Sequence, residues 1–280
     1  MVHPSIEYAI YALICIGTAD AVNKRARLAG IPVSTYLLVQ SPFFLCLVLV
    51  IALFTTGIRF SRADIIHSII VAVFSFAAFT LMLHSLGKGY ASINYAIFRL
   101  SFVFSSALAL VIFNEVFTYN KVIGIVVAAA ALFVFFKETG SGTTFKKAFM
   151  FAVAAMICNV LYQLSLKFAT TVYTASPSFL LSTSFFFSLL VIGYNLFNRK
   201  LSIPKITLLY APLNGILSAL GALFMLIALS QGEVGFVFPL IHMSFIVTFV
   251  ISISFLAEKP SKMQILGVIV AAIAIIVLIG

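Results

Sequence analysis

The chain has 280 residues, of which 63% are hydrophobic and only 9% are charged, and its mean hydropathy is +1.22. A soluble domain of this size needs far more polar surface to cover its core, so that class of protein is excluded. The formal net charge of +10 does not indicate a nucleic-acid partner, because the basic residues stand in small groups at the ends of apolar blocks. Basic residues at such positions are typical of proteins whose partner is the lipid bilayer.

Ten apolar blocks follow one another along the chain and predict ten transmembrane helices. Each block is long enough to cross about 30 Å of hydrocarbon as a helix, and none shows the alternation of a barrel strand. The connections are short, so we expect an all-α integral membrane protein without a separate soluble domain. The predicted spans are 5–24, 34–57, 65–87, 91–113, 119–137, 147–168, 178–197, 206–230, 234–256 and 262–279.

The one candidate linker, KETGSGTTFKK at residues 137–147, lies near the middle of the chain and is rich in Gly, Ser and Thr. It divides the sequence into a first repeat at 1–137, a linker at 138–146 and a second repeat at 147–280. The two repeats align without gaps when residue 158 is placed on residue 15, and we call this alignment the repeat shift. It matches polar, glycine and cysteine positions that chance seldom matches. The pairs that it matches include Cys15 and Cys158, Lys24 and Lys167, Ser41 and Ser184, Ser75 and Ser218, Gly89 and Gly232, Ser101 and Ser244, and Glu115 and Glu258.

Each repeat holds five predicted spans. Because five is odd, the second repeat enters the membrane in the opposite orientation, so the halves are predicted to be inverted repeats. This symmetry is typical of secondary transporters, which place their substrate site near the middle of the membrane between the repeats.

A family resemblance is carried by the fourth and fifth helices of both repeats. An acidic residue closes the fourth helix in VIFNEVFTYNKVIG (Glu115) and SFLAEKPSKMQILG (Glu258), and an alanine-rich fifth helix follows each. Lys24 and Lys167 end the first helix of each repeat. In these features the chain resembles the EamA-type members of the drug/metabolite transporter superfamily. The resemblance covers essentially the whole chain and implies a ten-helix transporter with both termini inside the cell.

Charge counting gives the opposite orientation. Loops after the odd-numbered spans hold twelve basic residues, and loops after the even-numbered spans hold four. The positive-inside rule then places both termini outside. The orientation of the termini stays open at this point.

The sequence departs from the family at two places. Family members often have a proline in the fourth helix, ahead of the acidic residue, where this chain has Phe102 and Phe245, and Pro239 lies elsewhere. The small multidrug relatives carry a proton-binding glutamate in the first helix, at a position that Ile14 occupies here. The second departure weakens proton-coupled export of lipophilic cations, unless Asp20 substitutes for that glutamate.

Ionisable side chains inside a membrane are costly and mark functional sites. Arg99 lies within the fourth predicted span, and the repeat shift places His242 at the equivalent position of the ninth. Two such residues at equivalent depths predict a central cavity, in which the Arg fork suits a carboxylate or phosphate and the His can titrate. The alternatives are that Arg99 binds buried carbonyl groups or pairs with Asp20, and that His242 is a neutral hydrogen-bonded core residue.

The end of the first helix offers a further polar face. Asp20, Asn23 and Lys24 follow the spacing of one helix face, so they either contact a polar solute or include an Asp20–Lys24 ion pair near the interface. The equivalent face of the second repeat carries polar side chains that either contact solute or join helices, namely Asn159, Tyr162 and Gln163.

Three further candidates for substrate binding are Tyr95, Asn214 and Ser218. A structural or gating role is expected instead for the residues at helix ends, namely Glu115, Glu258, Lys24 and Lys167.

These observations predict a secondary transporter, expected to be an exporter, that moves small polar or amphipathic metabolites such as amino acids by alternating access through a central cavity. Coupling to protons through His242 or Asp20 and passive exchange both stay open. The alternatives are a proton-coupled drug or cation exporter and a non-transporting receptor or scaffold on the same fold. We expect a multi-pass protein of the plasma membrane that can act as a monomer. The chain lacks nucleotide-binding, protease and metal-binding motifs, so we expect no enzyme, metal or cofactor.

Overall fold

The computed structural model describes residues 4–55, 57–86, 97–116, 118–135, 143–172, 176–198, 203–256 and 261–279. Within these ranges every regular element is a helix, which confirms the predicted all-α fold. The helices are α1 (Pro4–Leu28), α2 (Val33–Thr55), α3 (Arg62–Leu86), α4 (Ser101–Ile112), α5 (Tyr119–Phe135), α6 (Thr143–Val172), α7 (Pro177–Asn198), α8 (Thr207–Gln231), α9 (Val234–His242), α10 (Phe245–Leu256) and α11 (Lys262–Ile279).

The helices follow the predicted spans closely. Most spans correspond to one continuous helix, whereas the fourth and the ninth correspond to helices with a break. α6 begins at Thr143, inside the predicted linker, because polar residues ahead of the apolar block extend the helix beyond the length that hydrocarbon requires. In the described part of the chain, seven helices are long and apolar enough to cross a membrane, and three shorter apolar ones are Ile97–Ile112, Tyr119–Val134 and Ile265–Val277. The chain is therefore a multi-pass membrane protein.

The packing of the helices follows the repeat shift. α1 packs along α8, and their equivalents in the other half, α6 and α3, pack together in the same way. α2 contacts α8, and their equivalents α7 and α3 also contact each other. In two further contacts a helix packs against its own equivalent, namely α2 against α7 and α5 against α11. All of these contacts join one half of the chain to the other. The halves are interleaved, and each of the two buried hydrophobic clusters contains residues of both halves.

Small residues allow the closest of these approaches. α5 and α11 meet through fully buried alanines at equivalent positions, namely Ala128, Ala131, Ala271 and Ala274. Gly17 in α1 lies directly against α10: a Cβ atom at Gly17 would clash with the Ser244 carbonyl oxygen and would stand 2.6 Å from Val247 Cβ. Small residues are typical at helix contacts in membranes, where van der Waals packing and hydrogen bonds hold helices together.

The fourth and ninth predicted helices break at equivalent residues. At Leu100 the carbonyl accepts from Val103 N–H at 3.0 Å, and at Met243 the carbonyl accepts from Ile246 N–H at 3.0 Å. These bonds span three residues instead of four, so each helix tightens at the same place. The family proline that Phe102 and Phe245 replace is not needed for either break. Irregular backbone within a membrane protein is tolerated where it is buried or lines a cavity.

Candidate substrate cavity

A cavity of about 250 Å³ lies beside the two helix breaks. It is lined by equivalent residues from both halves, so that most lining positions in one half have a partner in the other half under the repeat shift. The lining pairs are Ile16 and Asn159, Ala19 and Tyr162, Asp20 and Gln163, Asn23 and Leu166, Gln40 and Thr183, Ser41 and Ser184, Phe44 and Phe187, Ser75 and Ser218, Phe79 and Ala222, Phe98 and Ile241, and Arg99 and His242.

Arg99 stands immediately before the first helix break and is 4% exposed. Its Nη2 forms an ion pair with the Asp20 carboxylate of α1. Its Nη1 donates to the His242 carbonyl oxygen at 3.0 Å and to Ser244 Oγ at 2.7 Å, both at the second break. Both alternatives for Arg99 are therefore present, because the guanidinium binds a buried carbonyl group and pairs with Asp20. The fork that would otherwise hold a carboxylate solute is engaged within the protein.

His242 forms the equivalent contact in the other half. Its Nε2 lies 2.8 Å from Gln163 Nε2, as Arg99 contacts Asp20. Gln163 Nε2 also donates to Ser101 Oγ at 3.1 Å, and Ser101 is the equivalent of Ser244. With this amide orientation His242 Nε2 accepts a hydrogen bond and the imidazole is neutral. The two halves thus repeat one arrangement, once with an ion pair and once with neutral groups.

The polar face of α6 joins this second arrangement. Asn159 Nδ2 donates to Ser101 Oγ at 2.7 Å, and Gln163 Oε1 accepts a hydrogen bond from Ser105 Oγ. Asn159, Tyr162 and Gln163 all line the cavity. The side chains of this face join α6 to α4, as one alternative predicted, and their contact with a solute stays a prediction.

The remaining predicted site residues have different positions. Ser218 lines the cavity and donates to Asn214 Oδ1 at 3.2 Å. Asn214 is fully buried and donates to the Ala19 carbonyl oxygen at 2.8 Å, so it joins α8 to α1 behind the lining. Tyr95 lies outside the described residues. Asp20 has Arg99 as its ion partner, while Lys24 donates to Ser252 Oγ at 3.4 Å.

Glu115 and Lys167 meet at the junction of α8 and α9. The Glu115 carboxylate accepts from the Val234 N–H at 2.6 Å and the Gly235 N–H at 3.0 Å, which are the first amides of α9. Lys167 Nζ donates to the Gly232 carbonyl oxygen at 2.8 Å, at the end of α8. Each charge lies at the helix end whose dipole it complements. These contacts tie the segment after α4 and helix α6 to the junction of α8 and α9, and Glu258 lies outside the described residues.

A second ion pair lies at the same junction. Lys121 at the start of α5 pairs with Glu233, which immediately precedes α9. Under the repeat shift, Lys121 corresponds to Gln264 and Glu233 corresponds to Tyr90, which carry no charge. The equivalent positions therefore cannot form a second ion pair of this kind.

Gln40 is one of the cavity residues that were not predicted from the sequence. It lies in the first half of α2, it is 5% exposed, and its Oε1 has no hydrogen-bond partner among the described residues. An amide within an apolar block was the available signal, the same one that pointed to Gln163. Its equivalent, Thr183, is an ordinary residue of a membrane helix, so the comparison of repeats did not mark the position.

The fold and the cavity together define a class of protein: a multi-pass helical membrane protein whose duplicated halves both line a small cavity. Among the described residues no group of three or more His, Cys, Asp or Glu side chains is arranged to hold a metal ion.

The sequence matches the EamA-like transporter family twice, over residues 4–137 and 146–280. The chain belongs to the EamA-like transporter family, as the resemblance in its fourth and fifth helices implied. No curated protein matches it. One solved crystal structure, with which it shares 12% sequence identity, aligns with a TM-score of 0.79 over 99% of this chain and 96% of that chain. This similarity shows that the two proteins share a fold.

Proposed function

We propose that the protein is a secondary transporter that carries small polar or amphipathic metabolites through the cavity by alternating access. The observation that carries the proposal is the lining of the cavity by equivalent residues of both halves, directly beside two equivalent helix breaks. Broken helices at the interface of repeats are the usual place for a transporter's substrate site. Family membership supports transport as the general role.

The same proposal includes ten membrane crossings, two inverted repeats and a location in the plasma membrane. The even spacing of the helices along the chain and the equivalent packing of the two halves support this architecture. The principal contacts join helices of different halves, so the units that move should be mixed. α1 with α8 forms one such unit, and α3 with α6 forms its equivalent.

The volume of the cavity and the hydrogen bonds that its polar side chains make within the protein support a small substrate. A cavity of about 250 Å³ lies just below the range of about 300–1,000 Å³ that is usual for small-molecule sites. Arg99 contacts α1 and the break before α10 at once, so it couples the substrate site to two helices that border it. We expect the direction of transport to be export.

The test is transport by the purified protein in liposomes. Liposomes are loaded with a panel of labelled small metabolites, and efflux and exchange are followed with empty liposomes and an Asp20→Asn variant as controls. We expect efflux or exchange of at least one metabolite by the wild-type protein only. Absence of transport, with binding of a metabolite still detected by a rise in melting temperature, would identify a receptor and contradict the proposal.

A further inference from the structure

The charges that border the cavity cancel. Asp20 and Arg99 pair with each other, and among the described lining residues no other Lys, Arg, Asp or Glu is present. His242 accepts a hydrogen bond at Nε2 from Gln163, so its ring adds no charge. The described part of the cavity therefore offers no free counter-charge to an ion.

Two buried polar groups at the cavity lack partners. Gln40 Oε1 and His242 Nδ1 have no hydrogen-bond partner among the described residues, and the two side chains are 5% and 8% exposed. Both residues line the cavity, but neither of the two atoms is accessible in this structure, so a solute contacts it only after the side chain turns toward the cavity. Because Nε2 of the neutral His242 ring accepts, its Nδ1 carries the proton and can donate. Gln40 Oε1 can only accept. Buried groups of this kind are normally satisfied by protein or by ordered water, so each is a position at which a solute can supply the hydrogen bond that the described residues do not.

We propose that the cavity selects solutes of zero net charge that carry both a hydrogen-bond acceptor, bound by His242 Nδ1–H, and a donor, bound by Gln40 Oε1. This inference rests on the proposed transport function and narrows its substrate class. Zwitterions and uncharged polar molecules share this chemistry. A net charge would enter a largely apolar site without a counter-ion, and that transfer is strongly unfavourable.

The first test compares solutes matched in size and different in net charge. The probes are L-glutamine, L-glutamate, L-lysine and the uncharged glutaramide, followed by further charge-matched sets from the metabolite panel. Binding is measured from the rise in melting temperature with concentration, and transport is measured in liposomes. We expect the net-neutral members of a set to bind at least about tenfold more tightly than the charged members. Preference for L-glutamine over glutaramide, or the reverse, distinguishes zwitterions from uncharged solutes.

The second test removes the acceptor. Gln40→Leu is expected to weaken binding of the preferred neutral probe about 3- to 10-fold, the usual net effect of one hydrogen bond. The matched comparison is Thr183→Val at the equivalent position, where the hydroxyl already donates to the Phe179 carbonyl oxygen at 3.0 Å. Thr183→Val should weaken binding by a smaller factor than Gln40→Leu.

The outcomes separate this inference from the proposed function. Equal or tighter binding of the charged members, with transport intact, overturns the inference and leaves the transporter in place. Equal effects of Gln40→Leu and Thr183→Val overturn the role of Gln40. If no solute of any charge is bound or transported, the proposed function itself fails. The comparison of solutes uses the wild-type protein, so it stands even if Gln40→Leu does not fold.

Discussion

The two halves of the molecule build the same site with different chemistry. In one copy, Asp20 and Arg99 form an ion pair that reaches Ser244, and in the other copy, Gln163 and His242 contact each other beside Ser101. The helix breaks, the contacting positions and the serines are equivalent under the repeat shift. The charge differs, and so does the residue that binds the serine: Arg99 donates to Ser244, whereas Gln163 donates to Ser101.

This difference indicates that the backbone arrangement does not require an ion pair. A neutral amide and imidazole occupy the equivalent positions and contact each other, and the amide contacts Ser101, which follows the first helix break. Two opposite charges in a low-dielectric site lose hydration, and their attraction compensates only when the geometry is good. Once both charges are present, however, neither can be removed alone without leaving the other unpaired.

The largest effect is expected from breaking the ion pair. Arg99→Gln or Asp20→Asn leaves one buried charge without its partner, which should cost about 3–5 kcal/mol of stability and abolish transport. The double variant Asp20→Asn with Arg99→Gln should be more stable than the sum of the single changes predicts, as contacting residues are coupled. Melting temperatures in detergent measure both. Additive losses would show that the two residues stabilise the fold independently.

The next effect tests the equivalence of the two copies. His242→Arg places a guanidinium opposite Gln163 and should destabilise the protein by about 3 kcal/mol, because no carboxylate lies at that position. Adding Gln163→Asp should restore much of this loss by reproducing the Asp20–Arg99 arrangement in the second half. Gln163→Asn in the same His242→Arg background is the control, since it shortens the side chain as Asp does but adds no charge. Equal melting temperatures for the two double variants would contradict a mirrored ion-pair geometry.

A smaller effect is expected at the close approach of α1 to α10. Gly17→Ala adds a methyl group against the Ser244 carbonyl and Val247, so the helices must separate at an expected cost of about 1–3 kcal/mol. The matched control is Gly193→Ala in α7, where no heavy atom lies within 4 Å of the added Cβ. Gly193→Ala should leave the melting temperature unchanged or raise it slightly. Equal losses in both variants would indicate that the helix backbone, not the contact, needs glycine.

The helices and their pairing into repeats were predictable from local signals. The eighth span was predicted at 206–230, and α8 occupies Thr207–Gln231, because a long run of apolar residues forms a helix in hydrocarbon wherever its neighbours lie. The family followed from residues such as Glu115 that recur in both halves. Arg99 and His242 stood out because polar groups are rare within spans.

The partners of these side chains were not predictable. Arg99 and Asp20 are far apart in the sequence, so their contact depends on how the helices pack. The breaks at Leu100 and Met243 also lack a local signal, since neither is Gly or Pro and the family proline is absent. The sequence therefore left open whether Arg99 faced a solute or a carboxylate of the protein, and tertiary packing decided that Asp20 is its partner.

The smallest effect is expected at the ion pair of Lys121 and Glu233, which joins the two halves and has no charged equivalent under the repeat shift. Glu233 is substantially exposed, so Lys121→Gln or Glu233→Gln should cost at most about 1 kcal/mol. Salt should screen the pair, and the difference in melting temperature from the wild type should shrink between about 0.05 and 0.5 M salt. The exchanged pair Lys121→Glu with Glu233→Lys should recover the loss at low salt. A much larger loss of stability that salt leaves unchanged would contradict this prediction. It would show that the ion pair acts as a buried contact and that the two equivalent positions differ by more than a weak surface interaction.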